Sequence, residues 1–152
     1  GAGSKKIGSI IGGSERDGER AKEKFLRATP SLRSLREKVE RVAQRRWVRG
    51  LDQRKIIIRH PHAALNTLLQ GAGAIVMKYA LTLLEQYVIN KQIKAFPVVN
   101  VHDEFQYEVE ESRAEEFGRL AVQSIIDAGK QLNVRCPLNG EYKIGNNWSE
   151  TH

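Results

Sequence analysis

Two adjacent carboxylates, Asp103 and Glu104, follow a histidine in the run Val98-Val99-Asn100-Val101-His102-Asp103-Glu104-Phe105-Gln106-Tyr107-Glu108-Val109. The β-branched and aromatic residues on both sides of the triplet predict a β-hairpin with the carboxylates at its bend. Crowding carboxylates costs free energy unless a cation or another partner compensates. A hard divalent cation suits that role, because magnesium takes oxygen ligands and usually only one or two protein carboxylates. The same pattern also suits a solvated acidic turn, and the stretch alone does not choose between them.

A second set of polar residues lies upstream. His62, Asn66 and Gln70 are spaced i, i+4, i+8. On a helix they form one slowly drifting row beside the apolar face, with Gly73 near its far end. All three side chains donate hydrogen bonds. The minor groove of B-DNA offers acceptors at every base pair, so such a row can test base-pair shape without reading sequence. Its plainer alternative is a polar stripe at the edge of a core.

The elements that must hold these groups are legible in outline. Ile7, Ile10 and Ile11 suit a short apolar helix ended by Gly12-Gly13. Ser14 can cap a charged helix from Glu15 to Arg27. Thr29 and Pro30 suit the cap and first position of another, striped by Leu32, Leu35, Val39 and Val42. Trp47 to Arg59 reads as a hairpin, with Gly50 and Asp52 in its turn. The longest helix opens at His62 and runs to about Lys91. Leu65, Leu68, Leu69, Ala72, Ile75, Val76, Tyr79, Leu83 and Tyr87 predict its buried face. Gly71 and Gly73 inside it suggest close approach of something to the backbone. A last long helix is expected from about Ser112 to Leu132, with Ser112 and Glu115 at capping-box spacing. The tail from Cys136 is expected to form a short strand and then an irregular end.

Composition narrows the class. The chain has 152 residues, 40% of them hydrophobic, enough for one ordinary domain with a core. One cysteine, Cys136, excludes an internal disulfide framework, and an intracellular, cytoplasmic setting follows. No apolar run reads as a membrane span or signal peptide. Charge is uneven. Residues 1–60 hold 17 Lys and Arg against 7 Asp and Glu, whereas residues 61–152 hold 8 against 11. A basic half beside a mildly acidic one suggests a polyanion-binding surface next to a cation-holding site.

The segment from His62 to Ala74, with Asn66 and Gln70 in place, followed by Val101-His102-Asp103-Glu104, resembles the C-terminal third of family A DNA polymerases, phage replicative members above all. The start, Gly1 to Gly8, resembles the chain just after the nucleotide-binding helix of the fingers. Thr29 to Lys55 is similar to the following fingers helix and hairpin, and Asn146-Asn147-Trp148 to the family's tail. The resemblance covers essentially the whole chain. It implies an α+β fold, with antiparallel palm hairpins packed against long helices. Residues 1–46 would be a basic, helical part of the fingers, and residues 47–152 the C-terminal part of the palm with the motif C hairpin.

It also implies roles. Asp103 would be the motif C ligand of two catalytic magnesium ions, and Glu104 its acidic neighbour. His102 would lie near the primer terminus. His62, Asn66 and Gln70 would touch the minor groove and the primer–template end; histidine at position 62 fits the phage-like subgroup. Arg45, Arg46, Arg49 and Arg54 are candidate phosphate contacts. The implied partners are primer–template DNA, a deoxynucleoside triphosphate and an upstream polymerase portion. That portion would carry the other metal-binding aspartate and the nucleotide-binding helix. The chain is therefore expected to be inactive alone, and to self-associate through a sheet edge left open beside the hairpin. If the source is a phage, its setting is the host cytoplasm. Two rival readings are a non-catalytic nucleic-acid-binding module and a metal-dependent hydrolase using His60, His62, His102 and Asp103.

Overall fold

The computed structural model describes residues 2–151. Gly1 and His152, which open the amino-terminal resemblance and close the tail, lie outside the described residues. The fold is mixed: six α-helices and two separate antiparallel hairpins among the described residues. It forms two compact units, one up to Gln70 and one from Gly71. That division lies downstream of the 46/47 boundary expected from the resemblance.

The first unit begins with α1 (Ser4–Ile10) and α2 (Glu15–Ala28). Ser14 starts α2 as expected, through a capping box. Its Oγ accepts from the Asp17 backbone N–H at 3.3 Å, and Asp17 Oδ2 accepts from the Ser14 N–H at 2.8 Å. The two helices pack through glycine rather than isoleucine. A Cβ on Gly8 would fall 2.1 Å from the Ser14 carbonyl oxygen, and one on Gly18 would fall 2.0 Å from that of Ser4. Ile10 and Ile11, expected inside, are exposed. Backbone contact is closer than any side-chain packing allows, so the isoleucines are excluded from the crossing.

Helix α3 (Pro30–Ala43) carries Pro30 in its first turn. Thr29 does not cap it; with φ −126° and ψ 69°, its hydroxyl turns back and donates to the Phe25 carbonyl at 2.8 Å. Strands β1 (Trp47–Arg49) and β2 (Lys55–Ile57) form the first hairpin, with Trp47 opposite Ile57. Its turn is closed by Gly50 N–H to the Arg54 carbonyl at 2.9 Å. Val39, Ala43, Val48, Ile58 and Ala64 form the core of this unit, with Ile56, Leu65 and Leu68 against it.

A single turn, Pro61–Ala63, leads into α4 (Ala64–Lys91). Pro61–Lys91 is long and apolar enough to cross a membrane by length and composition alone, with a mean hydropathy of 1.3 over an 18-residue window. This corrects the expectation that no run qualifies. The apolar residues are interleaved with Gly, Thr and Tyr, so no uninterrupted run marks them. The buried residues of α4 in the second unit are Ile75, which is on the predicted face, and Met77, Ala80, Leu84 and Val88, which lie one step round from it. Tyr79, Leu83 and Tyr87 flank them half-buried. Apolar residues on several sides left the phase undetermined by periodicity. A Cβ on Gly73 would meet nothing within 4 Å.

The second hairpin pairs β3 (Ala95–Val101) with β4 (Glu104–Val109). The register slips once, so that Val98 is an extra residue between Pro97, opposite Tyr107, and Val99, opposite Gln106. This bulge sets the faces. Ala95, Phe105, Tyr107 and Val109 pack on the core of Leu84, Val88, Ile93 and Phe117. Phe96, Val98 and Val101 stay exposed. Without the extra residue, the stem of β3 would change faces.

A turn, Glu111–Arg113, precedes α5 (Ala114–Gln131). Ser112 lies inside that turn, and no side chain caps α5, contrary to the capping-box expectation. The tail does not form the expected strand. It runs back along α5, with Leu138 against Gly129, Gly140 against Ile125 and the Tyr142 ring against Gly118. Helix α6 (Trp148–Thr151) ends it, started by Glu150, which accepts from Asn146 N–H and Asn147 Nδ2, both at 2.7 Å.

Candidate functional site

Val101 pairs with Glu104, so the turn of the second hairpin is His102 and Asp103 alone. Two-residue turns need a positive φ, and His102 supplies it with φ 55°. Histidine is among the non-glycine residues that tolerate this region. Both turn residues are exposed. Among the described residues nothing bonds to or pairs with the Asp103 carboxylate.

Glu104 is held differently. It is half-buried at the first position of β4. Strand alternation puts Gln106 on the same face, and Gln106 Nε2 donates to Glu104 Oε1. Gln106 Oε1 in turn accepts from the Thr151 hydroxyl of α6 at 3.3 Å. One carboxylate at the tip is thus free to take a ligand, and its neighbour is tied in place. Neither Gln106 nor Thr151 was among the residues expected to matter. The signal for Gln106 was its i+2 position on a strand; Thr151 is 45 residues away and left none.

The opposite face of β4 anchors the hairpin. The Tyr107 ring sits 4.9 Å from that of Phe117, tilted by 47°. Burial first, and the nearby Glu85 carboxylate second, push the Tyr107 phenol above its ordinary range. Helices α4 and α5 are tied by Tyr87 Oη, which donates to Asp127 Oδ2 at 3.0 Å. Lys130 and Gln123 also bond to Asp127, at 2.9 and 2.8 Å. The Lys130 bond first, then that of Gln123, holds the Asp127 carboxyl below its ordinary value.

A hard cation would find oxygen donors here of the right kind. No group of three or more His, Cys, Asp or Glu side chains able to hold a metal occurs among the described residues. The hydrolase expectation for His60, His62, His102 and Asp103 needs such a group and loses its basis. The carboxylates at the tip fit one side of a magnesium site, whose remaining ligands are commonly waters and substrate phosphates.

The polar row lies in the first unit. His62, Asn66 and Gln70 are all exposed, and the His62 ring stacks on His60 with centroids 5.6 Å apart. Neither Asn66 nor Gln70 has a side-chain hydrogen bond among the described residues. The first hairpin gathers positive charge. Arg49 and Lys55 lie over the Trp47 ring at 6.0 and 4.9 Å, and Arg54 pairs with Asp52. Arg45 and Arg46 have no ion pair among the described residues. In contrast Arg20, Arg27, Arg33 and Arg36 are each matched by a carboxylate on their own helix. By sequence, residues 44–60 hold six Lys and Arg against one Asp, whereas α2 and α3 together hold nine against six, so the larger net positive charge lies around the hairpin.

Comparison with known proteins bears on what such a site does. A family profile for DNA polymerase family A matches residues 1–150. The DNA-directed DNA polymerases of Enterobacteria phage T3 and Escherichia phage T7 are each 36% identical to this chain over its full length, which covers 25% of theirs. The DNA-directed DNA polymerase of Escherichia phage Phieco32 is also 36% identical, with 26% of its length covered. The chain thus spans about a quarter of the length of the curated relatives it matches. Among solved structures, the POL domain of Pol1 from M. smegmatis, in complex with DNA primer-template and dNTP, shares the fold. It has a TM-score of 0.74 and 19% identity over 84% of this chain, and 25% of that chain is covered.

Proposed function

Since the chain belongs to DNA polymerase family A, we propose that it supplies the C-terminal side of a template-directed DNA polymerase active site and part of its DNA grip. One observation carries the reading: an exposed, unpaired Asp103 in a two-residue turn, beside a Glu104 fixed by its neighbours. A free carboxylate on a rigid hairpin suits a metal ligand, because the anchored strands place it and nothing competes for its oxygens.

In this reading Asp103 holds magnesium and Glu104 lies beside it. When bound, two magnesium ions activate the primer 3′-hydroxyl and offset charge on the transferred phosphoryl group and leaving pyrophosphate. The chain's own residues do the positioning. His62, Asn66 and Gln70 donate to purine N3 and pyrimidine O2 along the minor groove near the primer end. His102 faces the primer terminus. Arg45, Arg46, Arg49 and Arg54 neutralise DNA phosphates, so binding weakens steeply with salt. The donors at the tip make up only one side of a two-metal site, so further carboxylates come from outside residues 2–151. Primer–template DNA, a deoxynucleoside triphosphate and the upstream polymerase portion are the partners, in an intracellular setting.

The test is primer extension by this chain combined with an upstream family A polymerase portion. Turnover is expected to need both pieces and to collapse with Asp103→Ala, while DNA binding stays near normal. Robust incorporation by the chain alone, or an Asp103→Ala assembly as fast as the parent, would overturn the reading.

A further inference from the structure

A carboxylate that works beside a metal needs its own support, since partners one step removed commonly fix a ligand's rotamer and orientation. Glu104 has such a support. Its Oε1 accepts from Gln106 Nε2, and Gln106 Oε1 accepts from Thr151 Oγ1. The direction of these bonds is dictated chemically. An ionised carboxylate only accepts, so the amide must turn its NH2 group toward Glu104. Its oxygen then faces Thr151, and only a hydroxyl donating its proton satisfies that contact. The Thr151 hydroxyl has a second acceptor in range, the Trp148 carbonyl at 3.2 Å within α6. It therefore shares one proton between its own helix and the hairpin.

The path by which Thr151 arrives is built for the purpose. The tail is laid along α5 where glycine clears room: a Cβ on Gly118 would fall 2.3 Å from the Tyr142 ring, and one on Gly129 2.9 Å from Leu138. Tyr142 Oη donates to Glu115 Oε2 at 2.8 Å. Glu150 then ties Asn146 and Asn147. The strap delivers the last turn of the described chain to the face of β4 that bears Glu104.

We propose that Gln106 is a positioning residue, held by the Thr151 hydroxyl, that fixes the Glu104 carboxylate beside the Asp103 metal ligand. The tail thereby helps to set the geometry of the active site. This rests on the polymerase reading above, and two independent measurements separate the two claims.

The first needs no activity. In the 152-residue chain, NMR follows the Gln106 side-chain amide protons and the Glu104 side-chain couplings. Thr151→Val should speed exchange of those amide protons with water and loosen the Glu104 rotamer, whereas Thr151→Ser should leave both as in the parent. Unchanged signals in Thr151→Val would overturn the inference whatever the chain catalyses. The second is single-turnover incorporation by the reconstituted enzyme. Gln106→Leu should slow incorporation by about 10- to 100-fold, the usual cost of losing such a support, with primer–template affinity unchanged. In a Glu104→Ala background it should cost nothing more, because contacting residues that act together are not additive. An equal loss in both backgrounds would refute positioning through Glu104. If instead Asp103→Ala leaves turnover intact, the polymerase reading fails and positioning for catalysis falls with it, even where the NMR coupling stands.

Discussion

Leu84→Ala should unfasten the carboxylate hairpin from its support, and the size of the effect follows from the packing. Leu84 is fully buried, among Val88, Ile93 and Phe117, with Phe105, Tyr107 and Val109 of β4 against the same cluster. The substitution removes three carbons, worth about 0.8 kcal/mol each in transfer free energy, or about 2.4 kcal/mol. The cavity adds about 24 cal/mol for each Å³ that does not collapse. Ring packing of Tyr107 on Phe117 resists collapse, which points to a total of about 3–4 kcal/mol. Against a whole-domain stability of roughly 5–15 kcal/mol, that is a large share. Ile89 is the control. It lies five residues on along α4 and is 63% exposed. Ile89→Ala loses little burial and regains a few tenths of a kcal/mol in helix propensity, so it should change stability by less than about 0.5 kcal/mol. Urea unfolding followed by far-UV circular dichroism compares them, and the loss in Leu84→Ala should lower the midpoint by about 1–3 M. Trp148 lies in the second unit and Trp47 in the first, so Trp47→Phe and Trp148→Phe backgrounds assign each fluorescence change to its unit. A Leu84→Ala cost below about 1 kcal/mol, or one matched by Ile89→Ala, would refute the placement of the core.

Two further outcomes test other joints. Gly18→Ala should part α1 from α2, because the new Cβ falls 2.0 Å from the Ser4 carbonyl oxygen and 2.5 Å from Gly8 N, backbone atoms that cannot swing aside. The gain of about 1 kcal/mol in helix propensity is outweighed by an overpacking cost of about 1–3 kcal/mol; hydrogen exchange should show α1 amides losing protection first, and unchanged protection would count against the crossing. Asp127 is held ionised in the fold by Lys130, Gln123 and Tyr87, its carboxyl lying below the ordinary value of 3.8. Its stabilising effect is therefore complete above that value and lost as pH falls through the lower folded one, so the stability gap between the parent and Asp127→Asn should close in urea titrations below about pH 4; a gap constant down to pH 2 would contradict the hold of Lys130 and Gln123 on the Asp127 carboxylate.

What the sequence disclosed follows the range of the interaction. The turn at His102-Asp103, the Ser14 cap and the first hairpin depend on neighbours within a few residues, and each is written locally. Thr29 and Ser112 show how far that reading reaches. Both have capping chemistry, yet the backbone at Thr29 turns its hydroxyl backward, and a preceding turn absorbs Ser112. The bulge at Val98 was hidden because Ala95 to Val101 is apolar almost throughout, so alternation cannot set its phase. The same holds for α4, where only tertiary contact selects Leu84 over Leu83. Glycines 8, 18, 118 and 129 admit a backbone, side chain or ring from elsewhere in the chain, a use that local sequence does not mark. The support of Glu104 spans 45 residues and could not be read at all.

The bulge has a bearing on how the chain behaves in concentrated solution. An open strand invites a foreign strand to add to it, and proteins commonly blunt such strands with proline, twist or brevity. β3 has the first two: Pro97 has no N–H to offer, and Val98 interrupts the ladder beside it. The uninterrupted stretch beyond the bulge is Val99–Val101, three residues, against the five or six of an ordinary strand pair. A second copy meeting this border would gain only a few main-chain bonds, in a register fixed to the turn. The irregularity that turns Ala95 inward thus also shortens the template for runaway stacking, and it confines any dimer formed there to contact next to the carboxylates themselves.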